Sequence, residues 1–563
     1  MLTFLSVYFP VASSFFVEGL LFVTLPFLLG LPIFLPQDDL LFNSVTRKKK
    51  IFFLVLRLTQ GILFFCILIE GLYLLFSAAP FQILSHNGNF FFRHDLLSSL
   101  INFFLTLLTL YYTYLVAFVF SRTTKFIKYS HEIPFLIVCT LLCLRLFIAA
   151  NDLILLVILL EISAFCSIIF IGIQSVSSTD YSLSIEATLK YFIINALAVS
   201  LLLLSICGYF YVTTSTNLND IVFFFYKYPF LCIFFTEQLI LLQVAFFFAY
   251  LIKLGAAPVH QWVPDVYEGA ETLVTAFLVL LISPALMFKL GIFFKLLTGV
   301  PVSITIVYHL FLVTGLLSIV FGTLGAFYQT RIKRFIAYSA LTHLGFMLLG
   351  CCFNTTLGYF SFFFYLIIYI FTNICFFTFL LICQMQVDTQ ARLIYFNQLK
   401  LSIQTSFFLF LCLVICLFSF AGVPPFAGFF AKFFILSVLV EQNRFYLVLF
   451  LVIAILIGTF MYLRFLKISL FESNRFLDAQ TWEITLKSSF RLFPRTLVAV
   501  FADYQLRLKL QNVVYNIQTF DTWQLVIFSG LLWVLGFIFL FVIFLAPYSL
   551  GILELVTVLL TQY

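Results

Sequence analysis

Charge is what this sequence has least of. Only 9% of its 563 residues are Asp, Glu, Lys or Arg, where a soluble domain carries about 25%. That shortage excludes a water-facing surface over most of the chain. Metal-ligand spacing is missing as well. The 12 Cys include no C-x-x-C pair, and the six His are scattered. Cys139/Cys143 and Cys412/Cys416 recur at i,i+4 on apolar runs, and Cys351/Cys352 are adjacent. They read as small buried hydrophobes rather than as metal or redox ligands. No Gly-rich dinucleotide fingerprint occurs. No basic cluster interleaved with aromatics points to nucleic acid. The N-terminus is apolar and lacks an Arg-rich amphipathic start, so no cleavable presequence is expected.

What the chain does have is apolar bulk. It is 64% hydrophobic, with a mean hydropathy of +1.17. The 81 Phe exceed anything packing demands and read as codon bias in an AT-rich genome such as an organelle's. The fold class is therefore an all-α polytopic membrane protein. A spanning helix needs about 20 apolar residues. Runs of that kind predict about fourteen transmembrane helices, at 5–34, 51–78, 97–121, 133–150, 153–174, 189–212, 237–268, 273–296, 303–328, 334–352, 357–384, 405–440, 445–469 and 525–548. Two runs are too long for one regular span. Gly255 and Pro258 interrupt 237–268; Gly422, Pro424 and Pro425 interrupt 405–440.

Basic residues favour the loops after odd-numbered spans, as in Arg47–Lys50 and Arg331, Lys333 and Arg334. That asymmetry supports the count and sets an orientation. The polar connection 470–524 reads as an insertion, or as an interfacial or docking element.

A charge at mid-span costs about 2.5–3.5 kcal/mol on insertion scales. So few charges should then sit inside the membrane for a reason. Glu161, Lys190, Lys253, Lys289 and Lys432 all lie on apolar runs. Lys253 and Lys432 each adjoin a helix break, and broken helices at membrane depth are tolerated where they are buried in protein or line hydrated cavities. Water and free helix ends there can solvate a lysine, so Lys and Glu side chains could pass protons through bridging water. For Glu161, Lys253 and Lys432 a purely structural ion pair is the competing reading. Lys190 could instead snorkel to the interface. Lys289 reads as facing water or the interface. Arg57 is expected to pair with Glu70. His260 and His343 titrate near neutral pH in their free form, and each stands equally as a structural histidine. Trp262 and Tyr267 read as interfacial anchors.

Five ordered stretches together resemble one family. They are AANDLILLVILLEIS (149–163), SIEATLKYFIINALAVSLLLLSICGYFYVTTSTNL (184–218), KLGAAPVHQWVPDVYEGAETLVTAFL (253–278), RIKRFIAYSALTHLGFMLLG (331–350) and FSFAGVPPFAGFFAKFFIL (418–436). The family is subunit 2, or N, of the proton-pumping NADH:ubiquinone oxidoreductase, respiratory complex I. The likeness covers about 133–440 and is weak before residue 130 and after about 470. It implies an antiporter-like fold with two inverted five-helix repeats and discontinuous helices 7 and 12. The implied division is 1–130 for about three N-terminal helices, 131–300 and 301–469 for the repeats, 470–524 for the polar connection and 525–563 for a last helix and tail.

The resemblance also implies a proton relay. Glu161 matches the family's helix-5 glutamate, and Lys190, Lys253 and Lys432 match its lysines on helices 6, 7 and 12. The helix-8 lysine is replaced by Ser283, which leaves Ser283 with water, or Lys289 from an adjacent turn, as candidates for that step. No cofactor is implied in this subunit: NADH, FMN, iron–sulfur clusters and ubiquinone belong to other subunits. The implied partners are other membrane-arm subunits, including neighbouring antiporter-like ones, and membrane lipids. The implied location is the mitochondrial inner membrane, or a bacterial inner membrane. A Mrp-type cation/proton antiporter subunit, or a structural membrane-arm subunit without its own channel, stands as the alternative.

Overall fold

A computed structural model describes residues 16–28, 30, 44–77, 92, 96–122, 132–173, 178–227, 236–297, 303–353, 355–387, 395–399 and 407–470. The fourteenth predicted span and the 470–524 connection after Leu470 lie outside the described residues.

The described residues are helical, joined by loops with three isolated β-bridges. In chain order the helices are α1 Phe16–Leu28, α2 Ser44–Ser77, α3 Leu96–Arg122, α4 Glu132–Ala149, α5 Leu153–Gly172, α6 Ser178–Thr213, α7 Leu218–Lys227, α8 Thr236–Leu254, α9 Trp262–Gly269, α10 Thr272–Phe277, α11 Ser283–Leu297, α12 Ser303–Tyr328, α13 Ile332–Cys352, α14 Thr356–Val387, α15 Phe407–Ala421, α16 Ala427–Glu441 and α17 Phe445–Leu470. Eleven helices among the described residues are long and apolar enough to cross a membrane. α4 is held by α3 and α5, α6 by α8, α12 by α13, and α14 by α15 and α16.

Both expected breaks are present, and both are built the same way. α8 ends at Gly255 with φ +75°, and α15 ends at Gly422 with φ +76°. Only glycine enters that left-handed region without strain. At the first break Ala256 N–H donates to Leu251 O at 3.0 Å and Gly255 N–H to Ile252 O at 3.0 Å. At the second, Val423 N–H donates to Phe418 O at 3.2 Å and Gly422 N–H to Ser419 O at 3.1 Å. This is the Schellman pattern, which satisfies part of the free carbonyl set at a helix end. The prolines that follow prevent the helix from resuming in line. After the first break the short helix α9 packs against both α6 and α13. It therefore ties the first half of the chain to the second.

A π turn over Leu278–Ile282 joins α10 to α11, with Ser283 N–H bonded to Leu278 O. The cause is local. Pro284 has no N–H to return to the fourth preceding carbonyl, and its ring crowds that carbonyl, so one wider turn absorbs the mismatch.

Candidate functional site

The lysine at the end of α8 and the glutamate in mid-α5 meet. Lys253 Nζ lies 3.7 Å from Glu161 Oε1, with the lysine side chain 6% exposed and the glutamate 26% exposed. α5 is set in place by Asp152, whose carboxylate caps its first turn through Ile154 N–H at 3.0 Å. Asn195 on α6 donates to Glu161 Oε1 at 3.1 Å. A cavity of about 20 Å³ adjoins the pair, lined by Lys253, Asn195, Tyr191, Trp262 and Ser163 among others. One water needs about 10–15 Å³, so the space admits a water beside Lys253 and beside Asn195, which donates to Glu161.

Lys190 lies elsewhere. Its Nζ meets Asp265 Oδ2 at 2.5 Å and Glu186 Oε1 at 2.6 Å. Asp265 also accepts from Arg334 Nη2 at 3.4 Å. Glu268, one turn along α9, pairs with both Arg331 and Arg334, and its charge raises the Arg331 pKa. The result is a ladder of alternating charges from α6 through α9 to the start of α13. Its members are about a third exposed or more, apart from Glu268.

Lys289 does not face water. It is 3% exposed, and its Nζ donates to Ile148 O at 2.9 Å and Ala150 O at 2.7 Å. The ammonium thus binds the carbonyl end of α4, where the helix dipole is negative. Helix geometry explains why it does not stand in at Ser283. Six residues at about 100° each place Lys289 roughly a third of a circumference away from Ser283. Ser283 itself donates to Val279 O at 2.9 Å. It lines a cavity of about 40 Å³ with Gly255, Tyr267, Leu344 and Tyr369, room for more than one water.

The second break carries Lys432. This residue is 6% exposed and sits on α16, after the break, whereas Lys253 precedes its own. Lys432 Nζ donates back to Phe420 O at 2.9 Å and Ala421 O at 2.7 Å, the last carbonyls of α15. His343 on α13 is buried between two hydroxyls, Tyr365 OH at 2.8 Å and Tyr462 OH at 3.0 Å. Its ring lies 5.2 Å from Phe420 and 5.3 Å from Tyr369. It therefore stands between the Ser283 cavity and Lys432. His260 is half-buried, stacked on Phe321 at 5.2 Å, with Nδ1 at 3.2 Å from Pro258 O.

Two further expectations change. Glu70 pairs with Arg145 of α4, not with Arg57. Arg57 and Glu70 share α2 and are thirteen residues apart, about 20 Å along the axis. Trp262 and Tyr267 are each only 8% exposed, because α9 turns inward and packs Trp262 on Tyr191 at 5.5 Å. The roles of Asn195, Glu186, Asp265, Glu268, Arg334, Tyr365 and Tyr462 were not read from sequence. The i,i+3 acidic pair on a short helix after a break was the available signal for Asp265 and Glu268.

Residues 150–458 match the family described as NADH:quinone oxidoreductase/Mrp antiporter, transmembrane. The chain belongs to that family. Among members of the NADH:quinone oxidoreductase/Mrp antiporter family, NADH-quinone oxidoreductase subunit N of Pelagibacter ubique is 32% identical over 368 residues, spanning 64% of this chain and 74% of the relative. NADH-ubiquinone oxidoreductase chain 2 of Rhizopus oryzae is 29% identical over 412 residues, spanning 66% and 74%. The fold is shared with a chain of respiratory complex I from Thermus thermophilus, at a TM-score of 0.58, 21% identity and coverage of 81% and 90%. It is shared too with a chain of the Mrp complex from Dietzia, at 0.64, 17% identity and coverage of 83% and 81%. The matched segment contains both helix breaks, the Glu161–Lys253 pair and Lys432.

Proposed function

We propose that this chain is the subunit 2/N component of the membrane arm of NADH:ubiquinone oxidoreductase, and that it conducts protons. The observation that carries the proposal is the Glu161–Lys253 ion pair, 3.7 Å apart at a helix break, with Lys432 at a second break of the same construction. Two inverted five-helix repeats, 131–300 and 301–469, each contribute one break, within a fold of about fourteen spans. Quinone reduction in other subunits alters the charge at one end of the row. Glu161, Lys190 and Lys253 then change protonation. A changed charge biases the next group through a low-dielectric interior. Charge passes through the Ser283 cavity and His343 to Lys432. The Ser283 cavity and water take the place of the helix-8 lysine. No bond chemistry occurs in this chain, and its redox cofactors belong to other subunits. The membrane is the mitochondrial inner membrane or a bacterial inner membrane.

Co-purification decides between this reading and a Mrp-type antiporter. The complex I reading requires quinone-reductase subunits in the same particle. Within that particle, Lys253→Met and Lys432→Met should each abolish most proton pumping while leaving assembly intact. Undiminished pumping in both variants would mean that the chain is a structural subunit.

A further inference from the structure

The N-terminal helices hold a second group of buried charges that the Glu161–Lys253 pair does not touch. Glu18 on α1 is 5% exposed. Neither of its carboxylate oxygens has a hydrogen-bond partner among the described residues. Glu70 on α2 is 7% exposed and pairs with Arg145 on α4, which is 1% exposed. Thr106 on α3 donates to Glu70 Oε2 at 3.0 Å. Glu18 lies within electrostatic reach of both Arg145 and Glu70. The Cys66 thiol on α2 lies within reach of the same two groups and adds no charge while protonated. Four helices thus converge on two carboxyl groups and one guanidinium.

The charges do not balance if both carboxyls ionise. Val17 and Leu21, beside Glu18 on α1, are fully buried, so an extra anion would sit in an apolar setting. A buried unpaired charge is far costlier than a neutral acid. Arginine keeps its proton under all these conditions. One carboxyl must therefore be protonated. Glu70 already holds the guanidinium directly and accepts from Thr106, whereas neither Glu18 oxygen has a hydrogen-bond partner among the described residues. The proton falls to Glu18.

We propose that Glu18, Glu70 and Arg145 form a second proton-binding site, in which Glu18 is a neutral carboxylic acid beside the Glu70–Arg145 ion pair. The two carboxyls are exchangeable in charge: loss of one anion is met by ionisation of the other. The site also borders the interior of the fold. Arg145 lies one turn before Ile148, whose carbonyl accepts from Lys289, so α4 carries both groups.

Infrared spectroscopy of the full chain in its native membrane complex tests this directly. The wild type should show a protonated-carboxyl C=O band that shifts in D2O. Glu18→Gln should remove that component and assemble normally, because the amide matches the neutral acid in shape and charge. Glu70→Gln should remove it as well, because Glu18 then ionises against Arg145. Each single variant should assemble to within about twofold of wild type, whereas the Glu18→Gln/Glu70→Gln pair should fall by roughly tenfold or more, with a buried guanidinium left unpaired. Adding Arg145→Met to that pair should restore assembly. The proposal is overturned if the band survives Glu18→Gln, if Glu18→Gln alone fails to assemble, or if the paired variant assembles as well as the singles. None of these readouts depends on proton pumping, so they stand apart from the relay through Lys253.

Discussion

Replacing Glu161 with Gln tests the pairing at the first break most directly. The substitution keeps the shape of the side chain and the acceptor for Asn195 while removing the charge that faces Lys253. At 3.7 Å, two unit charges attract by ~4 kcal/mol at an effective dielectric of about 20. The glutamate side chain is 26% exposed, so solvent screening lowers that figure, and an expected coupling of about 1–3 kcal/mol remains. A double-mutant cycle isolates it. Glu161→Gln, Lys253→Met and the combined variant would be followed by denaturant unfolding of the full chain in detergent. The single losses should exceed what the combined variant loses on top of either one, since removing the second partner also removes the orphaned charge. In vesicles carrying the assembled complex, each single variant should slow proton uptake. Strict additivity, to within about 0.5 kcal/mol, would refute the idea that these two groups act as a pair.

Other predictions follow from neighbouring geometry. Lys289→Met should cost about 1–3 kcal/mol of stability per carbonyl left unbonded, read by thermal unfolding, with proton uptake per assembled complex unchanged; normal stability with lost uptake would place Lys289 on the proton path instead. Gly428→Ala would put a Cβ 1.8 Å from Ser419 O, so α15 and α16 must separate at a cost of about 1–3 kcal/mol or more, and a variant with unchanged unfolding would contradict the close approach. Arg331→Met should cost under about 1 kcal/mol, since its side chain is 43% exposed, and the loss should shrink further in high salt.

Much of the architecture was legible because bilayer thickness fixes how long an apolar run must be. The run 153–174 corresponds to the helix Leu153–Gly172, and 303–328 to Ser303–Tyr328. Both breaks were legible from glycine and proline, whose backbone chemistry is local. Hydropathy missed helix extended by polar turns: the run at 189–212 belongs to a helix that begins at Ser178. The choice of partners was the least legible. Lys190 reaches Asp265 across 75 positions, and Arg145 reaches Glu70 across a similar gap in sequence. Helix packing makes those choices, and a single sequence carries no record of it beyond the presence of unpaired charges. Asn195 gave no signal at all, because an amide on an apolar helix has many acceptable partners.

The π turn before Ser283 has a consequence for register. One extra residue in a helix advances every later side chain by about 100°. Beyond Leu278–Ile282, the angular phase of α11 is therefore set by a proline rather than by the apolar pattern of the helix. Pro284→Ala with every residue kept, so that the turn closes to regular pitch, would turn Lys289 away from the end of α4, and deleting one residue of the turn as well would bring it back. In this helix, phase decides which charge meets which partner, and the width of a single turn sets it.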